Sequence, residues 1–276
     1  MTVDKSPCIS IVIATWNAEK TLGKCLDSVR RQSYADYEIL IQDNISDDGT
    51  VQVVKSNRDL PISLSSESDT GIYDAWNKAI SRARGEWIYF LGADSTLHSS
   101  DTLSKVAASL GAMDEGVPVA YGMICRKGLD GEVIDYRGAP WSDVRESFFR
   151  YLSCVPHAAC FQRRRRIVEV GGFDSSFKIR GDADFLLKVF LSSEPEFMNV
   201  VVCDHFMGGI STSLKGQVAG ILENRESLRM RGMPVLGVSA KIVLAYLARI
   251  SATIIGEENV LSLLERVRRT TVGKAS

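Results

Sequence analysis

The chain has 276 residues, with 33 Lys and Arg against 34 Asp and Glu, so its formal net charge is -1. With 45% hydrophobic and 24% charged residues it falls in the globular class, which excludes disordered, collagenous and coiled-coil chains. The even charge balance removes the broad electrostatic case for a nucleic-acid partner, and the length implies one large domain or two halves sharing a core.

Six cysteines (Cys8, Cys25, Cys125, Cys154, Cys160 and Cys203) occur without a CxxC pair, which argues against a zinc ribbon or a small disulfide scaffold. Met1 to Pro7 lacks the apolar stretch of a signal peptide, so a reduced, cytoplasmic protein is expected.

In chain order, Ile9 to Ala14 reads as a buried strand, and Glu19 to Gln32 as a helix with Leu22, Leu26 and Val29 on one face. Glu38 to Asp43 is a second strand, followed by the turn Ser46-Asp47-Asp48-Gly49 into a second helix. Pro61 to Ser65 is a third strand. Ile72, Ala75, Trp76, Ala79, Ile80 and Ala83 recur at helical spacing, and Trp87 to Leu91 is a fourth strand running into Asp94. Such alternation predicts an α/β fold with a mostly parallel sheet and helices on both faces.

Further on, strands are expected over 117–125, 132–137, 158–162 and 197–203, with a turn at 128–131 and a helix near Ala183 to Ser192. After Val235 the composition turns helical. The expected division is a main domain over 1–235, itself divided at about residue 97, and a helical appendage over 236–276.

Ligands of open parallel sheets bind beyond the carboxyl ends of the strands. Three strands here end in Thr15-Trp16-Asn17, Asp43-Asn44 and Asp94-Ser95, although an acid after a strand is also an ordinary turn former. No GxGxxG or GxxxxGK[ST] follows the first strand, so a diphosphate needs another source of positive charge. Mg2+ or Mn2+ held by Asp94 meets that need, because these ions complete their shells with phosphate oxygens and water.

Four motifs occur in order: Ile11 to Asn17, Asp43 to Thr50, Asp69 to Lys78, and Gly85 to Asp94. Together they resemble the family-2 inverting glycosyltransferases of GT-A fold, over roughly residues 8 to 215. The resemblance implies a nucleotide-diphosphate sugar donor, with UDP favoured, and a saccharide or lipid-linked acceptor in surface polysaccharide or glycolipid assembly; it makes residues 1–97 or so the nucleotide-sugar-binding half and 98–235 the acceptor half. It places Asp43 against the uracil N3–H, Thr15 and Asn17 beside the nucleoside, and Asp69 near the nucleotide or ribose. Asn77, Lys78, Ala93 and Asp94 fall in the donor pocket, Lys78 being equally readable as an ion-pair partner of Asp74. The metal motif reads Gly92-Ala93-Asp94-Ser95, so one acid stands where the family often has two.

The resemblance puts the catalytic base at Asp182, with Asp184 as runner-up; both also read as first-turn helix acids. His157 and Arg180 fall on the acceptor side, His157 being also readable as a structural histidine, and His205 is a further candidate metal ligand. Tyr73 and Trp76 are candidates to flank a sugar, Trp76 sitting also on the apolar stripe. The Gly208-Gly209 pair suits a mobile lid. Arg163 to Arg166 read as a solvated helix start or as a contact for an anionic acceptor.

The apolar stretch from Leu236 to Ile255 carries Lys241 and Arg249 and falls short of a spanning helix. It suits core packing, a homodimer seam, or peripheral contact with the inner face of the cell membrane aided by Arg266, Arg268 and Arg269. Two rival functions stand beside the transferase: a sugar nucleotidyltransferase and a non-catalytic nucleotide-sugar or glycan binder.

Overall fold

The computed structural model describes residues 7–128, 130–206 and 214–235. The chain divides into two compact units, 1–207 and 208–276. The described part of the second is one helix, α8 (Leu214–Met230), with a short segment after it.

The first unit begins with three strand–helix repeats: β1 (Ile9–Thr15), α1 (Glu19–Arg30), β2 (Tyr37–Asp43), α2 (Thr50–Ser56), β3 (Ile62–Ser66) and α3 (Ile72–Arg82). β4 (Trp87–Phe90) follows. β1 runs parallel to β2 and to β4, and β2 runs parallel to β3, giving the order β3-β2-β1-β4. Ile9, Ile11, Val12 and Ile13 are all fully buried, the pattern of a strand covered on both faces. The chain leaves β1 toward β2 on one side and returns to β4 on the other. The carboxyl ends of β1 and β4 therefore flank the point where the strand order reverses, where ligands of such sheets bind.

The rest of the sheet is mixed. It comprises β5 (Thr96–Leu97), β6 (Val119–Lys127), β7 (Val133–Arg137), β8 (Cys160–Arg163) and β9 (Glu196–Phe206), continuing the order as β4-β8-β6-β9-β5 with β7 on β6. Here only β6 and β9 are parallel; β8 is antiparallel to β4 and β6, as are β7 to β6 and β5 to β9. The fold is thus an α/β sheet that is parallel in its first half and mixed in its second.

Helices α4 (Thr102–Gly111), α5 (Trp141–Tyr151), α6 (Arg164–Glu169) and α7 (Gly181–Phe190) complete the unit. α4 buries Leu103, Val106 and Leu110 and α5 buries Trp141 and Phe148, the spacing expected of one apolar helical face. Among the described residues no helix is long and apolar enough to cross a membrane. The stretch 236–276, with its three readings, and residues 207–213, with the Gly-Gly pair, lie outside the described residues.

Candidate active site

Strand register places the first polar row. Thr15 pairs with Asp43, and Asp43 with Ser66, so three adjacent strands end in side chains that meet. Asp43 is fully buried and accepts bonds from Thr15 Oγ1 at 2.9 Å, Ser66 Oγ at 2.7 Å, Ser46 Oγ at 2.5 Å and the Ser46 amide at 3.0 Å. Burial by itself would raise its pKa, but the bonds donated by Ser46, Ser66 and Thr15 prevail and hold it below the usual carboxylate value. Those four donors match the roughly four acceptor sites of a carboxylate.

The rim above this row is unusual. Asn17 (φ 50°) and Ile45 (φ 48°) are both left-handed, and for a β-branched residue that conformation is costly. Asn17 is held by its amide donating to Ser46 Oγ at 2.9 Å and its Oδ1 accepting from the Asp47 amide at 3.1 Å. Trp16 is 68% exposed and Ile45 61%, so two large apolar groups stand in solvent around the strand ends. Trp16 lies inside a motif that the sequence singles out, yet only its exposure marks it as a stacking surface.

Asp69 is tied in by its amide donating to Asn44 Oδ1 at 2.8 Å, and it accepts from the Gly71 amide at 2.9 Å. Burial raises its pKa, against the Gly71 bond. Lys78 lies 3.4 Å from Asp74 and donates to the Ser68 carbonyl at 2.6 Å, so the ion-pair reading of this residue is realised. Asn77 clamps the backbone of Phe173, its Nδ2 donating to the carbonyl at 2.8 Å and its Oδ1 accepting from the amide at 3.0 Å. It thereby fixes α3 to the loop that leads into α7.

The end of β4 carries the single acid of the metal motif. The Ser95 amide donates to the Gly92 carbonyl at 3.0 Å, closing a tight turn with Asp94 exposed at its tip and Ala93 half-buried beside it. A Cβ on residue 92 would stand 2.8 Å from Asp94 Oδ1, so an aspartate there would collide with the next acid but one. A side chain at position 92 would thus displace the exposed Asp94 carboxylate from its present place. Among the described residues no cation pairs with Asp94, and only Ser95 Oγ, at 3.4 Å, approaches its carboxylate. His205, near the end of β9, has its pKa lowered by burial while the Asp94 charge pulls the other way.

α7 carries the second acid group. Asp182 is half-buried in the first turn, and its Oδ1 accepts from the Ala183 amide at 2.9 Å and from the Tyr73 hydroxyl at 3.4 Å. Among the described residues nothing donates to its Oδ2. Asp184 is 1% exposed and paired with Lys188 at 3.0 Å, turned into the interior. Arg180 is the N-cap residue, its carbonyl accepting from the Asp184 amide at 2.9 Å.

Beneath Asp182 lies an aromatic cluster. His157 stacks on Trp76 (ring centroids 5.1 Å apart) and on Phe90 (5.5 Å), and Phe173 packs on Trp76, Phe90, Tyr73 and Phe185. The Gln162 side-chain amide lies 2.7 Å from His157 Nε2, within hydrogen-bond distance, the donor being set by the ring tautomer. Burial lowers the His157 pKa, with the Asp182 charge opposing. Tyr73 is buried and so presents no open ring face to a sugar, while Trp76 is half-buried and packed against Tyr73 and Phe90.

Phe90, the last residue of β4 and four before Asp94, stacks on His157, and the charge of Asp182 acts on that ring.

The glycosyl transferase family 2 model matches residues 10–171, more than half of the chain. The protein is a family 2 glycosyltransferase.

A PGL/p-HBAD biosynthesis glycosyltransferase of Mycobacterium bovis is 31% identical to this glycosyltransferase over 217 residues, covering 76% of this chain and 81% of that one. The O-antigen biosynthesis protein RfbC of Myxococcus xanthus is 31% identical over 196 residues, 68% of this chain but 15% of that protein. Among solved structures, S. aureus TarS 1-349 in complex with UDP-GlcNAc superposes with a TM-score of 0.61 at 20% identity, over 80% of this chain and 66% of that one. In a further TarS 1-349 crystal structure the chain spans 65% of its length. The mannosyltransferase PcManGT of Pyrobaculum calidifontis, in complex with GDP-Man and Mn2+, gives 0.64 at 17% identity over 98% and 81%. At such identities the structural likeness establishes the GT-A fold.

The basic run of the glycosyltransferase lies away from this site. Arg163 is buried at the amino end of β4, over the Trp87 ring, paired with Glu86 and donating to the Val117 carbonyl at 2.8 Å. Arg164 donates to the Gly85 carbonyl at 3.1 Å, and Arg166 pairs with Glu169 at 3.0 Å. The solvated-start reading thus fails for Arg163. An open groove of about 730 Å³, lined by Arg84, Arg163, Arg164 and Arg165 with Asp36 and Glu86, sits at this opposite end.

Proposed function

We propose that this glycosyltransferase inverts: it moves a sugar from a UDP-sugar to a hydroxyl of a saccharide or lipid-linked saccharide, in assembly of a surface glycan or glycolipid. The observation that carries the reading is a half-buried Asp182 whose Oδ1 is held by Tyr73 and the Ala183 amide and whose Oδ2 has no donor among the described residues; beside it stands the exposed Asp94 after β4, which no cation pairs among the described residues. The names of the mycobacterial and myxococcal relatives support a glycolipid or polysaccharide product. The UDP and UDP-GlcNAc complexes of TarS support the donor, and the Mn2+ of the mannosyltransferase supports a divalent cation.

Asp94 suits such a cation, because a lone exposed carboxylate leaves most of a Mn2+ or Mg2+ shell to phosphate oxygens and water. The neutral imidazole of His205 is a second candidate ligand. When bound, the cation offsets the charge that develops on the leaving diphosphate. The exposed indole of Trp16 offers a face to the nucleobase. Asp43 meets a uracil N3–H once the Ser46 or Ser66 hydroxyl swings off its carboxylate. Thr15, Asn17, Asp69 and Ala93 line the same strand ends, and Lys78 and Asn77 hold the α3 side of the pocket in shape.

At the acceptor, Asp182 Oδ2 takes the hydroxyl proton as the oxygen attacks the anomeric carbon on the face opposite the diphosphate. The bond from that carbon to the diphosphate breaks, and its electron pair leaves with UDP. The Tyr73 hydroxyl and the Ala183 amide hold Oδ1, which orients the carboxylate. Asp184 cannot perform this step while it is paired with Lys188 inside the core. His157 and Arg180 border the acceptor side. Action at the inner face of the cell membrane accords with a lipid-linked acceptor.

A thermal-shift series with UDP, GDP and dTDP, each with and without Mn2+, tests the donor assignment. UDP with Mn2+ is expected to raise the melting temperature in proportion to the logarithm of its concentration. A larger shift with GDP or dTDP contradicts the assignment.

A further inference from the structure

We propose that His98, Cys125 and Asp204 form a second cation site, selective for a borderline-soft divalent ion such as Zn2+ and distinct from the Asp94 site. One donor atom from each residue lies within 4.8 Å of the other two, close enough for a single ion to draw them together. Cys125 and Asp204 are buried and are register partners on the parallel strands β6 and β9, so their side chains emerge side by side on one face of the sheet. His98 follows β5, which pairs with β9 at Asp204, and its Nδ1 already sits 2.6 Å from Asp204 Oδ1. His205, the neighbour of Asp204, points to the other face because strand side chains alternate. The two candidate sites are therefore separated by the sheet.

The surroundings resemble a supporting shell. Lys127 donates to Asp204 Oδ2 at 2.6 Å, which leaves Oδ1 as the single ligand atom and fixes the carboxylate plane. Tyr136, the register partner of Cys125 on β7, meets the His98 ring nearly at right angles, with 6.5 Å between centroids. His98 is only half-buried, so water can complete a four-coordinate shell from that side. A thiolate, an imidazole and one carboxylate oxygen suit Zn2+, whereas Mn2+ and Mg2+ favour oxygen ligands. Binding replaces the Cys125 S–H bond with a sulfur–metal bond, and one proton goes to solvent. The His98 proton moves to Nε2, leaving Nδ1 to the ion.

Such an ion would tie together β6, β9 and the turn after β5, three parts of the acceptor half. Without it, the chain Lys127–Asp204–His98 is already a complete hydrogen-bonded network, and that is the competing explanation of the cluster.

Co2+ titration of the chelator-treated full chain separates the two, because thiolate–Co2+ charge transfer absorbs in the near ultraviolet and tetrahedral Co2+ absorbs visibly. The wild type is expected to develop both bands at one Co2+ per chain, and excess Zn2+ to abolish them. Cys125→Ser and His98→Gln should each remove the charge-transfer band or weaken binding at least tenfold, with circular dichroism confirming the fold. Cys154→Ser, at the exposed cysteine, and Asp94→Asn should leave the bands intact. Absence of stoichiometric bands in the wild type, or their survival in Cys125→Ser, overturns the proposal.

Discussion

Asp182 and Asp184 stand two residues apart in one helical turn, yet their surroundings separate their roles. Asp184 is buried against Lys188, and Asp182 presents an oxygen with no donor among the described residues. Asp184→Asn is expected to destabilise the fold by about 1–3 kcal/mol, since the amide cannot balance Lys188 and the partly exposed lysine recovers some hydration. Denaturant unfolding measures this; a variant as stable as the wild type contradicts the structural role. From the residues alone the two acids are indistinguishable, because both fit the first turn of a helix. What divides them is tertiary packing, which sets Tyr73 against Asp182 and buries Asp184 with its i,i+4 partner Lys188.

At the scale of elements, the junction of α3 with α7 sets the position of Asp182, the proposed base. A Cβ on Gly181 would stand 2.7 Å from the Tyr73 ring, too close for either group to remain in place. Gly181→Ala is therefore expected to lower turnover at least tenfold by displacing Asp182, with nucleotide affinity changed less than threefold. Equal losses in both would place the damage elsewhere. The spacing of the sequence identifies α3 and the turn before α7, but says nothing of their contact, since Asn77 and Phe173 are far apart in the chain and only the fold joins them.

The opposite end of the sheet makes a separate stability prediction. Glu38 is buried and bonded to Ser10 Oγ at 2.7 Å and to the Arg84 amide at 2.7 Å; burial alone raises its pKa, but these bonds and the Arg84 charge lower it overall. Asp43 is depressed in the same way at the other end. A carboxylate with a depressed folded pKa binds fewer protons folded than unfolded, so it stabilises the fold above its ordinary value, 4.5 for Glu38 and 3.8 for Asp43. Stability should accordingly fall as pH drops below about 4.5, and Glu38→Gln should flatten the upper part of that fall. An unchanged pH profile in this variant contradicts the network.

Across the whole molecule, the first half of the fold is legible because its strands are continuous apolar runs and each crossover is local. The second half is less so. β5 has two residues, too few for any periodicity, and the pairing of β6 with β9 joins segments some eighty residues apart. Arg163 misleads for a related reason: four consecutive arginines read as a solvated face, whereas strand alternation and the Trp87 ring bury the first of them. The polar strand ends are legible as a candidate site; their internal wiring through Ser46 and Ser66 is not, because it depends on the register between strands.

The most direct test compares the wild type, Asp94→Asn and Asp182→Asn in two measurements on each: calorimetric binding of a UDP-sugar with and without Mn2+, and release of UDP by transfer to water. Asp94→Asn should lose the Mn2+-dependent part of binding. Asp182→Asn should bind as the wild type does and release UDP at least about a hundredfold more slowly, the scale of a lost general base. Release at the wild-type rate by Asp182→Asn would contradict the assignment.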